Sequence, residues 1–553
     1  MKNFFWGAYE KSIKVWTEKC AKQSLVKRLW QKDPTLWKTN PSEQAEIISR
    51  LGWLDAVRRM RSHAADLISF ADTVRSEALT DVVLLGMGGS SLAPEVFQNV
   101  FGNKPGYPKL SVLDSTDPGR VRDVEVSVNL SKSLFIVSSK SGGTVELLSF
   151  YKYFFEKIKA LFPDAPGGRF VAITDPGSPL ESMAKKQHFR RVFLGFPDVG
   201  GRFSALTYFG LVPAALIGVD LDKVLSSAES MIRRCSAEVA LDQNEAVPLG
   251  VGMAILAEAG RDKLTILSPP AFESFGDWAE QLVAESTGKE DMGVIPVVRE
   301  PAQMPQPYGE DRFFAAFLPA FGNKGSLEAK IETLKKSGHP VLTFCLPEPE
   351  DLGGEFFRWE MATAIASSLL KINAFDQPDV QAAKDKTKAL LKKIESGQAL
   401  SAPASNDSLE SFWESLKNRD YVSLLAFLPD REPVRKALVR LQAEIRAASR
   451  AAVTLGFGPR YLHSTGQLHK GGPDSGIFIL FTSESSEDLS IPGEKFSFAQ
   501  LELAQALGDL EALKSKGRRV FHLRLKDASA PTLERAVDQI KEALHASQTD
   551  EVS

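Results

Sequence analysis

The segment SLFIVSSKSGGTVE, residues 133–146, joins an apolar run to a stretch of hydroxyls, an ammonium group and two glycines. The apolar half is typical of a buried β-strand, and the residues after the glycines can begin a helix. A glycine-rich turn at the start of a helix brings free backbone N–H groups to one point. Residues 138–144 add four hydroxyls and the ammonium of Lys140. This set of groups suits a phosphate monoester, which has three strong acceptor oxygens.

A second turn has the same design. The run DVVLL (81–85) leads into GMGGSS (86–91), and a helix-forming stretch follows. Two alternatives are open for this turn. It could be a dinucleotide fingerprint with Asp114 at the end of the next strand, although Ser91 stands where the third glycine is expected and the spacing to Asp114 is long. Both turns could also be ordinary tight turns. Residues 138–144 do not form a P-loop, because they lack its Gly-Lys-Ser/Thr sequence.

Along the rest of the chain, short β-branched runs alternate with helical stretches, which predicts a mostly parallel α/β fold. The predicted strands are 81–85, 109–114, 133–138, 169–174 and 191–196, then 263–268, 293–298 and 340–345, and finally 421–428, 476–482 and 519–525. Residues 1–75 are predicted to be helical, without a strand. A polar stretch at 396–408 is typical of a linker. A chain of 553 residues should contain about three or four domains.

Composition narrows the class of protein. The net charge is −3 and no basic tail is present, which argues against nucleic acid as the main partner. Three cysteines lie far apart, which predicts free thiols rather than disulfides or a zinc site. No stretch approaches the roughly 20 apolar residues of a membrane helix, and the N-terminus lacks the apolar core of a secretory signal. A cytoplasmic protein with no membrane partner is therefore expected.

Two further motifs carry chemistry. In DVGGRFS (198–204) a Gly-Gly pair lets the backbone turn beside Arg202, whose guanidinium could stabilise an anion that develops in a transition state. In QLVAESTGK (281–289), Gln281 and Glu285 are four residues apart and share a helix face. Gly288 is expected to end that helix. A carboxylate in the last turn holds its proton more readily, which suits a general base. A surface arginine and a solvated glutamate are the alternatives.

Taken together, these motifs resemble a known family. GMGGSS, SSKSGGT, DVGGRFS, QLVAESTGK and FDQPDVQAAK occur in the order found in glucose-6-phosphate isomerases, which are built from two sugar-isomerase (SIS) domains. The resemblance covers roughly residues 45–400. The stretches RLWQKDPTLW and LGFGPRYLHSTGQLHKGG are also similar to the isomerase half of bacterial transaldolase–isomerase fusions. The chain is too short before residue 80 for a transaldolase barrel, so no transaldolase activity is expected.

The resemblance implies a fold and a division into domains. It implies two SIS-type three-layer αβα sandwich domains with mostly parallel sheets, followed by a C-terminal α/β extension. The expected parts are a helical N-terminal arm (1–75), a first SIS domain (76–215), a second SIS domain with connecting helices (216–395), a linker (396–415) and a C-terminal segment (416–546). It also implies no metal and no cofactor, and a homodimer with a shared active site.

The resemblance also implies roles for individual residues. The catalytic base matches Glu285, with Gln281 beside it, and the arginine of the family matches Arg202. A catalytic lysine matches Lys384. The residues expected to contact substrate through the two glycine-rich loops are Gly88, Gly89, Ser90, Ser139, Lys140, Ser141 and Thr144.

The sequence departs from the family in the position of its ring-opening histidine, which normally precedes the lysine motif. His339, in that interval, is predicted to be a turn residue. The segment YLHSTGQLHKGG (461–472) instead follows the lysine motif, and His463 is the better match, with His469 as the runner-up. A structural histidine is the alternative. In the family this histidine comes from the neighbouring subunit. Asp379 and Gln381 stand where glycine and glutamate are usual.

The function implied is the interconversion of glucose 6-phosphate and fructose 6-phosphate through ring opening and a cis-enediolate, in glycolysis and gluconeogenesis. An isomerase that also uses mannose 6-phosphate is a close variant. The alternatives are a catalytically silent SIS-domain sensor of sugar phosphates and a nucleotide-dependent dehydrogenase, the latter resting only on residues 86–91.

Overall fold

A computed structural model describes residues 3–301, 308–320, 325–400, 408–484 and 487–549 of the chain. The N-terminal part contains β1 (Asn3–Phe5), α1 (Glu10–Lys22), α2 (Leu25–Trp30), α3 (Pro41–Ile48), α4 (Trp53–Arg61) and α5 (Ala64–Ser76). The prediction of an entirely helical arm is therefore wrong at its start. The Phe4 ring packs edge-on against Trp6 and Phe344, with ring centroids 5.8 and 5.5 Å apart, and this aromatic packing holds β1 against a distant sheet.

The first sheet has the strand order β3-β2-β4-β5-β6, and all its strands are parallel. Its elements are β2 (Asp81–Gly86), α6 (Leu92–Phe101), β3 (Lys109–Leu113), α7 (Pro118–Ser127), β4 (Ser133–Ser138), α8 (Val145–Leu161), β5 (Phe170–Thr174), α9 (Pro179–Lys186) and β6 (Arg191–Leu194). The predicted strands are confirmed here. The strand order reverses at β2, and in open α/β sheets ligands bind outside the carboxyl ends of strands at such a point. The two glycine-rich loops follow β2 and β4, so they meet there.

Alternate residues of the central strands feed two different cores, as strand geometry requires. In β2, Val82 and Leu84 join the core shared with the N-terminal helices and the second sheet. Val83 and Leu85 point the other way, into a core shared with the C-terminal part of the chain. Helices therefore cover both faces of the first sheet in a three-layer αβα arrangement.

The second sheet has the order β1-β10-β9-β7-β8, in which only the β1–β10 pairing is antiparallel among the described pairs. Its part of the chain contains α10 (Tyr208–Leu216), α11 (Leu221–Arg234), α12 (Val247–Glu258), β7 (Lys263–Leu267), α13 (Glu273–Thr287), β8 (Ile295–Val297), β9 (Arg312–Pro319), α14 (Leu327–Lys336), β10 (Val341–Leu346), α15 (Leu352–Leu369) and α16 (Val380–Glu395). The predicted strands did not include β9, a central strand whose aromatic and alanine residues do not form a β-branched run.

The C-terminal sheet has the order β12-β11-β13-β14 and is parallel throughout its described pairs. Its elements are α17 (Leu409–Glu414), β11 (Tyr421–Phe427), α18 (Glu432–Ser449), β12 (Ala452–Phe457), α19 (Gly466–Gly471), β13 (Gly476–Ser483), α20 (Phe498–Ser515), β14 (Arg519–Leu525) and α21 (Ala530–Thr549). The edge strand β12 was also missed. Phe498 of α20 stacks on Phe150 of α8, with ring centroids 6.0 Å apart, so the C-terminal part packs on the first sheet's helical layer.

The predicted linker, residues 396–415, contains a short helix. Residues 401–407 lie outside the described residues, but α17 falls inside the predicted range of 396–415. Trp413 is buried in the core of the C-terminal sheet, and this apolar contact gives the segment a helical structure. The domain boundaries themselves stay predictions.

Two properties of the described residues bear on the class of protein. None of the helices in the described ranges combines the length and apolar character that crossing a bilayer would require. Cys20, Cys235 and Cys345 are free, as the spacing of the cysteines predicts.

A buried ion pair links the second sheet to the C-terminal sheet. Glu300 Oε1 lies 2.7 Å from the Arg312 guanidinium, and the two side chains are 1% and 0% exposed. The same oxygen accepts a hydrogen bond of 3.1 Å from the Val453 N–H of β12. Glu300 therefore neutralises a buried charge and joins two sheets.

We predict that Glu300→Ala destabilises the fold strongly, because it leaves the Arg312 charge buried without compensation. The expected loss is about 3–5 kcal/mol, read from the urea midpoint followed by circular dichroism. Asp66→Ala is the matched control, since Asp66 pairs with Arg191 at the surface and should cost less than about 1 kcal/mol. Equal midpoints for the two variants would contradict the prediction.

Candidate active site

A cavity of about 420 Å³ opens at the carboxyl ends of β2 and β4. Every residue that the sequence analysis assigned to this site lines it, apart from His469, the alternative to His463. These residues are Gly88, Gly89, Ser90, Ser139, Lys140, Ser141, Thr144, Arg202, Gln281, Glu285, Lys384 and His463. They come from all three sheet-containing parts of the chain, so the cavity lies where those parts meet.

The first glycine-rich loop is pressed between two other segments. Gly88 has a φ of +54°, and a Cβ there would lie 2.8 Å from both the Gln281 amide nitrogen and the His463 carbonyl oxygen. A Cβ on Gly89 would lie 2.2 Å from the carbonyl oxygen of Gly201. Only glycine fits at these positions, and the close backbone approach sets the distance between the loop and Arg202.

The second loop presents its hydroxyls at the start of α8. Ser139 Oγ accepts a hydrogen bond of 3.1 Å from the Gly142 N–H and shares another of 3.1 Å with Thr144 Oγ1. Gly142 has a φ of +69°, which allows this tight turn. Lys140 forms an ion pair with Asp175 and donates a 3.3 Å hydrogen bond to the carbonyl of Pro197. Its charge is thus shared with a carboxylate, which the sequence did not indicate.

Arg202 is a buried guanidinium fixed by several acceptors. Its Nε donates to Ser286 Oγ at 2.9 Å, and Nη1 donates to Gln377 Oε1 at 3.0 Å. Nη2 donates to the carbonyls of Ala374 and Asp376 at 2.5 and 2.9 Å. The FDQ motif therefore orients the arginine, and Nη1 lies 3.5 Å from Glu285 Oε2.

Glu285 is 8% exposed and lies in the last turn of α13, which ends at Gly288 as predicted. Gln281 donates a hydrogen bond of 3.3 Å to its Oε2. Burial raises the pKa of Glu285 above its ordinary value, against the opposing effect of the Arg202 charge. A raised pKa was expected from the helix terminus, but burial is the larger cause.

His463 lies at the end of a short 3₁₀ turn, Arg460–His463. Its Nε2 lies 2.9 Å from Glu146 Oε1, and its carbonyl accepts a 2.7 Å hydrogen bond from Gln281. Gln505 of α20 donates to the same Glu146 oxygen at 2.7 Å. Burial raises the pKa of the Glu146 carboxyl, but His463 more than offsets this, so the pKa lies below its ordinary value.

Glu146 was missed in the sequence, although it stands in the quoted segment. In the sequence, Glu146 is an acidic residue two positions after Thr144, in the first turn of a helix. That position by itself indicates only a favourable contact with the helix dipole. Lys289 was also not singled out. It is buried with Nζ 2.8 Å from Asp376 Oδ1, and burial together with the nearby Arg202 charge lowers its pKa to about 8.

The remaining candidate residues differ in whether they lie at the cavity. Lys384 is exposed on α16 at the edge of the cavity. His469, the alternative to His463, is buried between the rings of Tyr461 and Phe478, with centroids 5.9 and 5.1 Å away, and burial lowers its pKa well below the ordinary value. His339 lies just before β10, outside the cavity lining, and burial lowers its pKa to about 4.

Some described residues of the cavity wall have a polar atom that lacks a hydrogen-bond partner in the structure. Among the described side chains, Gln281 Oε1 and Ser138 Oγ are buried without a hydrogen-bond partner, although both residues line the cavity. Such atoms are costly unless a bound molecule or water satisfies them. Within the described ranges, the His, Cys, Asp and Glu side chains form no group of three or more that could hold a metal ion.

The family model for phosphoglucose isomerase matches residues 52–293. This part of the chain is similar to the phosphoglucose isomerase family. The matched segment contains both glycine-rich loops, Arg202, Gln281 and Glu285, whereas Lys384 and His463 lie outside it. Because the match includes residues 86–91, it leaves the dinucleotide interpretation of that loop without support.

Curated relatives extend the likeness along the chain. A probable glucose-6-phosphate isomerase of Methanococcus maripaludis is 27% identical over 377 residues, which are 61% of this chain and 84% of the relative. The glucose-6-phosphate isomerase of Synechococcus elongatus is 27% identical over 445 residues, or 70% of this chain and 80% of the relative.

Two solved structures share the fold. A hypothetical protein of Thermus thermophilus superposes with a TM-score of 0.60 and 25% identity, covering 71% of this chain and all of that one. A glucose-6-phosphate isomerase of Chlamydia trachomatis superposes with a TM-score of 0.52 and 19% identity, covering 67% of this chain and 78% of that one. The SIS-type α/β fold predicted from the sequence is confirmed.

We predict that Gly89→Ala destabilises the protein, because its Cβ would collide with the Gly201 carbonyl and force the two loops apart. The expected loss of unfolding free energy is about 1–3 kcal/mol in urea denaturation. Gly143→Ala is the control, since a Cβ at Gly143 meets no described atom within 4 Å and should change stability by no more than about 0.5 kcal/mol. If Gly143→Ala cost as much, the tight loop contact would not be the cause.

Proposed function

We propose that this protein is an aldose–ketose isomerase that interconverts glucose 6-phosphate and fructose 6-phosphate. The observation that carries the proposal is the placing of a buried carboxylate, Glu285, in the same cavity as the hydroxyl-rich loop of residues 138–144. A phosphate held by the loop leaves the sugar carbons to reach the carboxylate. The match of residues 52–293 to the phosphoglucose isomerase family supports the same reaction.

We assign phosphate binding to Ser139, Lys140, Ser141 and Thr144, with Ser90 from the first loop. Their hydroxyls and the first N–H groups of α8 can donate to the phosphate oxygens, and the helix N-terminus favours the negative charge. The Lys140–Asp175 ion pair keeps the ammonium at the cavity wall. The phosphate is thus bound mainly by dipoles, with a single ammonium group beside it.

Ring opening requires a proton to be delivered to the ring oxygen while another leaves the hydroxyl on carbon 1. We assign this exchange to His463, with Lys384 at the cavity edge. The Glu146 carboxylate engages Nε2 of His463 at 2.9 Å, which leaves Nδ1 as the ring nitrogen for substrate. Glu146 thereby fixes the orientation of the imidazole.

Proton transfer then falls to Glu285. Its carboxylate takes the proton from carbon 2 of the open aldose, which forms a cis-enediolate, and returns that proton to carbon 1. The ketose forms as the proton of the carbon-2 hydroxyl passes to the oxygen on carbon 1. A base must both accept and release the proton, so a pKa raised toward neutral pH suits the task. Arg202 lies beside Glu285, and we assign to it the stabilisation of the negative charge on the enediolate oxygens.

The sensor alternative loses its main motivation, which was the displaced histidine. His463 lies in the cavity together with Glu285, so the chemistry-bearing residues are all present. Use of mannose 6-phosphate stays an open variant, since it differs only at carbon 2, where the proton is removed.

We predict that Glu285→Gln abolishes isomerisation while sugar phosphate still binds, because only the proton acceptor is lost. Removing an acid–base group costs about 10²–10⁴-fold in rate, and His463→Ala should slow turnover within that range. The measurement is fructose 6-phosphate isomerisation coupled to glucose-6-phosphate dehydrogenase, with binding followed by the shift in melting temperature.

Two surface variants serve as controls for this experiment. Glu290→Gln changes an exposed glutamate just beyond the same helix, and His545→Ala changes an exposed histidine of α21. Both should keep wild-type turnover. A wild-type protein that binds fructose 6-phosphate without isomerising it would refute the enzyme and favour the sensor.

We predict an acid limb in the pH profile of kcat/KM that lies above the ordinary glutamate pKa of about 4.3. Glu285 must be ionised to accept a proton, and burial raises its pKa, so activity falls as the pH drops through that raised value. Arg202→Met removes a charge that lowers this pKa, so the limb should move to higher pH while kcat falls by about 10²–10³-fold. A limb that stays in place would mean that Glu285 is not the titrating base.

A further inference from the structure

The histidine segment, residues 460–472, reaches the cavity of its own chain. The resemblance implied that a neighbouring subunit supplies the ring-opening histidine, whereas here His463 lines the cavity of its own chain. His463 contacts Glu146 and Gln281 of the same chain at 2.9 and 2.7 Å. What holds the segment in this position is therefore a property of the single chain.

A buried amide fixes the segment a few residues after His463. Gln467 is 0% exposed, and its Nε2 donates to Asp379 Oδ2 at 2.7 Å while its Oε1 accepts from the Asp379 N–H at 2.9 Å. The same Nε2 donates to the carbonyl of Gly288 at 3.0 Å. Lys516, directly after α20, completes the arrangement with Nζ 2.5 Å from Asp379 Oδ1. The acid thus uses its backbone and both carboxylate oxygens.

These contacts join the segments that carry the proposed chemistry. Gly288 ends the helix of Glu285, so the Gln467 amide is hydrogen-bonded to the end of the helix that carries the proposed base. Asp379 follows Asp376 and Gln377, which bind Arg202, and opens the helix of Lys384. Gln467 lies on the short helix that follows His463. A displacement of Asp379 would therefore move all four proposed catalytic residues, and it would move His463 most directly.

The packing around Asp379 and Gln467 is tight. A Cβ on Gly471 would lie 2.3 Å from Asp379 Oδ2 and 2.6 Å from Gln467 Nε2, so the segment closes tightly around the pair. Further contacts from the same segment reach the first sheet, where Arg460 pairs with Glu95 and lies 2.9 Å from Asp114. The segment is held at both ends by residues of its own chain.

We propose that Asp379 is a positioning residue that, by holding Gln467, sets His463 over the cavity of its own chain, so that one chain contains a complete active site. The proposal rests on the proposed function. It also gives a role to Asp379, which stands where the resembling motif has glycine.

The first test compares Asp379→Ala and Asp379→Asn with Asp385→Ala, an exposed acid on the same helix. For Asp379→Ala, kcat should fall on the order of 10- to 100-fold, as misplacement of a catalytic group does, while KM is unchanged because the phosphate loop is untouched. Asp379→Asn keeps an acceptor for Gln467 and should recover most of kcat. Asp385→Ala should behave as wild type. Unchanged kcat in Asp379→Ala, or a loss that Asp379→Asn does not relieve, would overturn the positioning role.

The second test asks whether the site is completed within one chain. Glu285→Gln and His463→Ala chains are co-expressed with different tags and the mixed assemblies purified, alongside the separate variants. If histidines were exchanged between subunits, each mixed pair would contain an intact site and recover activity. We expect no recovery whatever the oligomeric state, and recovered turnover would overturn the proposal.

A third readout separates failure of this proposal from failure of the proposed function. Hydrogen–deuterium exchange over residues 460–472 should quicken in Asp379→Ala and stay unchanged in Asp385→Ala, with or without any isomerase activity. If the wild type did not isomerise, the proposed function would fail and exchange alone would decide the docking role. Unchanged exchange in Asp379→Ala would overturn it.

Discussion

The contact between Glu146 and His463 joins two points that are 317 residues apart in the chain, and the cavity depends on it. Glu146 stands in the first turn of α8, directly after the hydroxyl loop, while His463 comes from the C-terminal sheet. Gln505 holds Glu146 from a third direction and itself accepts a 2.8 Å hydrogen bond from Thr116. A polar chain of this kind, buried and satisfied, is stronger than its separate bonds and fixes one arrangement. Beneath it, the stacking of Phe150 on Phe498 supplies the apolar contact between the two parts.

Burial of the charged groups serves the chemistry of the site, but it also reduces the stability of the fold. A buried ion without a partner costs several kcal/mol. The protein meets this by surrounding Arg202 with side-chain and carbonyl acceptors and by placing Lys289 against Asp376. Glu285 is treated differently, because its nearest cation lies 3.5 Å away and its pKa stays raised. The site thus gives its buried cations hydrogen-bond and ion-pair partners and leaves the base able to exchange a proton.

Local sequence patterns predicted much of this structure. The strands of the first sheet and the loops after β2 and β4 follow from short apolar runs that end in glycine, since both signals act over neighbouring residues. The pattern failed at β9, whose aromatic run begins with a buried arginine, and at β1, which is held by the distant ring of Phe344. Glu146 was missed for the same reason, because its partners His463 and Gln505 are remote in sequence. The cause of the raised Glu285 pKa was also misassigned, since burial is a property of the whole fold.

The changed order of motifs has a physical explanation in the packing. A site requires certain groups at certain positions in space, and it is indifferent to the order in which the chain visits them. A histidine segment that comes later in the chain must, however, be held beside loops with which it shares no sheet. Asp379 and Gln467 supply that contact, at a position where glycine would offer neither oxygen. The departure at Asp379 and the displacement of the histidine segment are therefore two parts of one arrangement, in which a carboxylate added to the lysine motif compensates for the distance in sequence between His463 and the rest of the site.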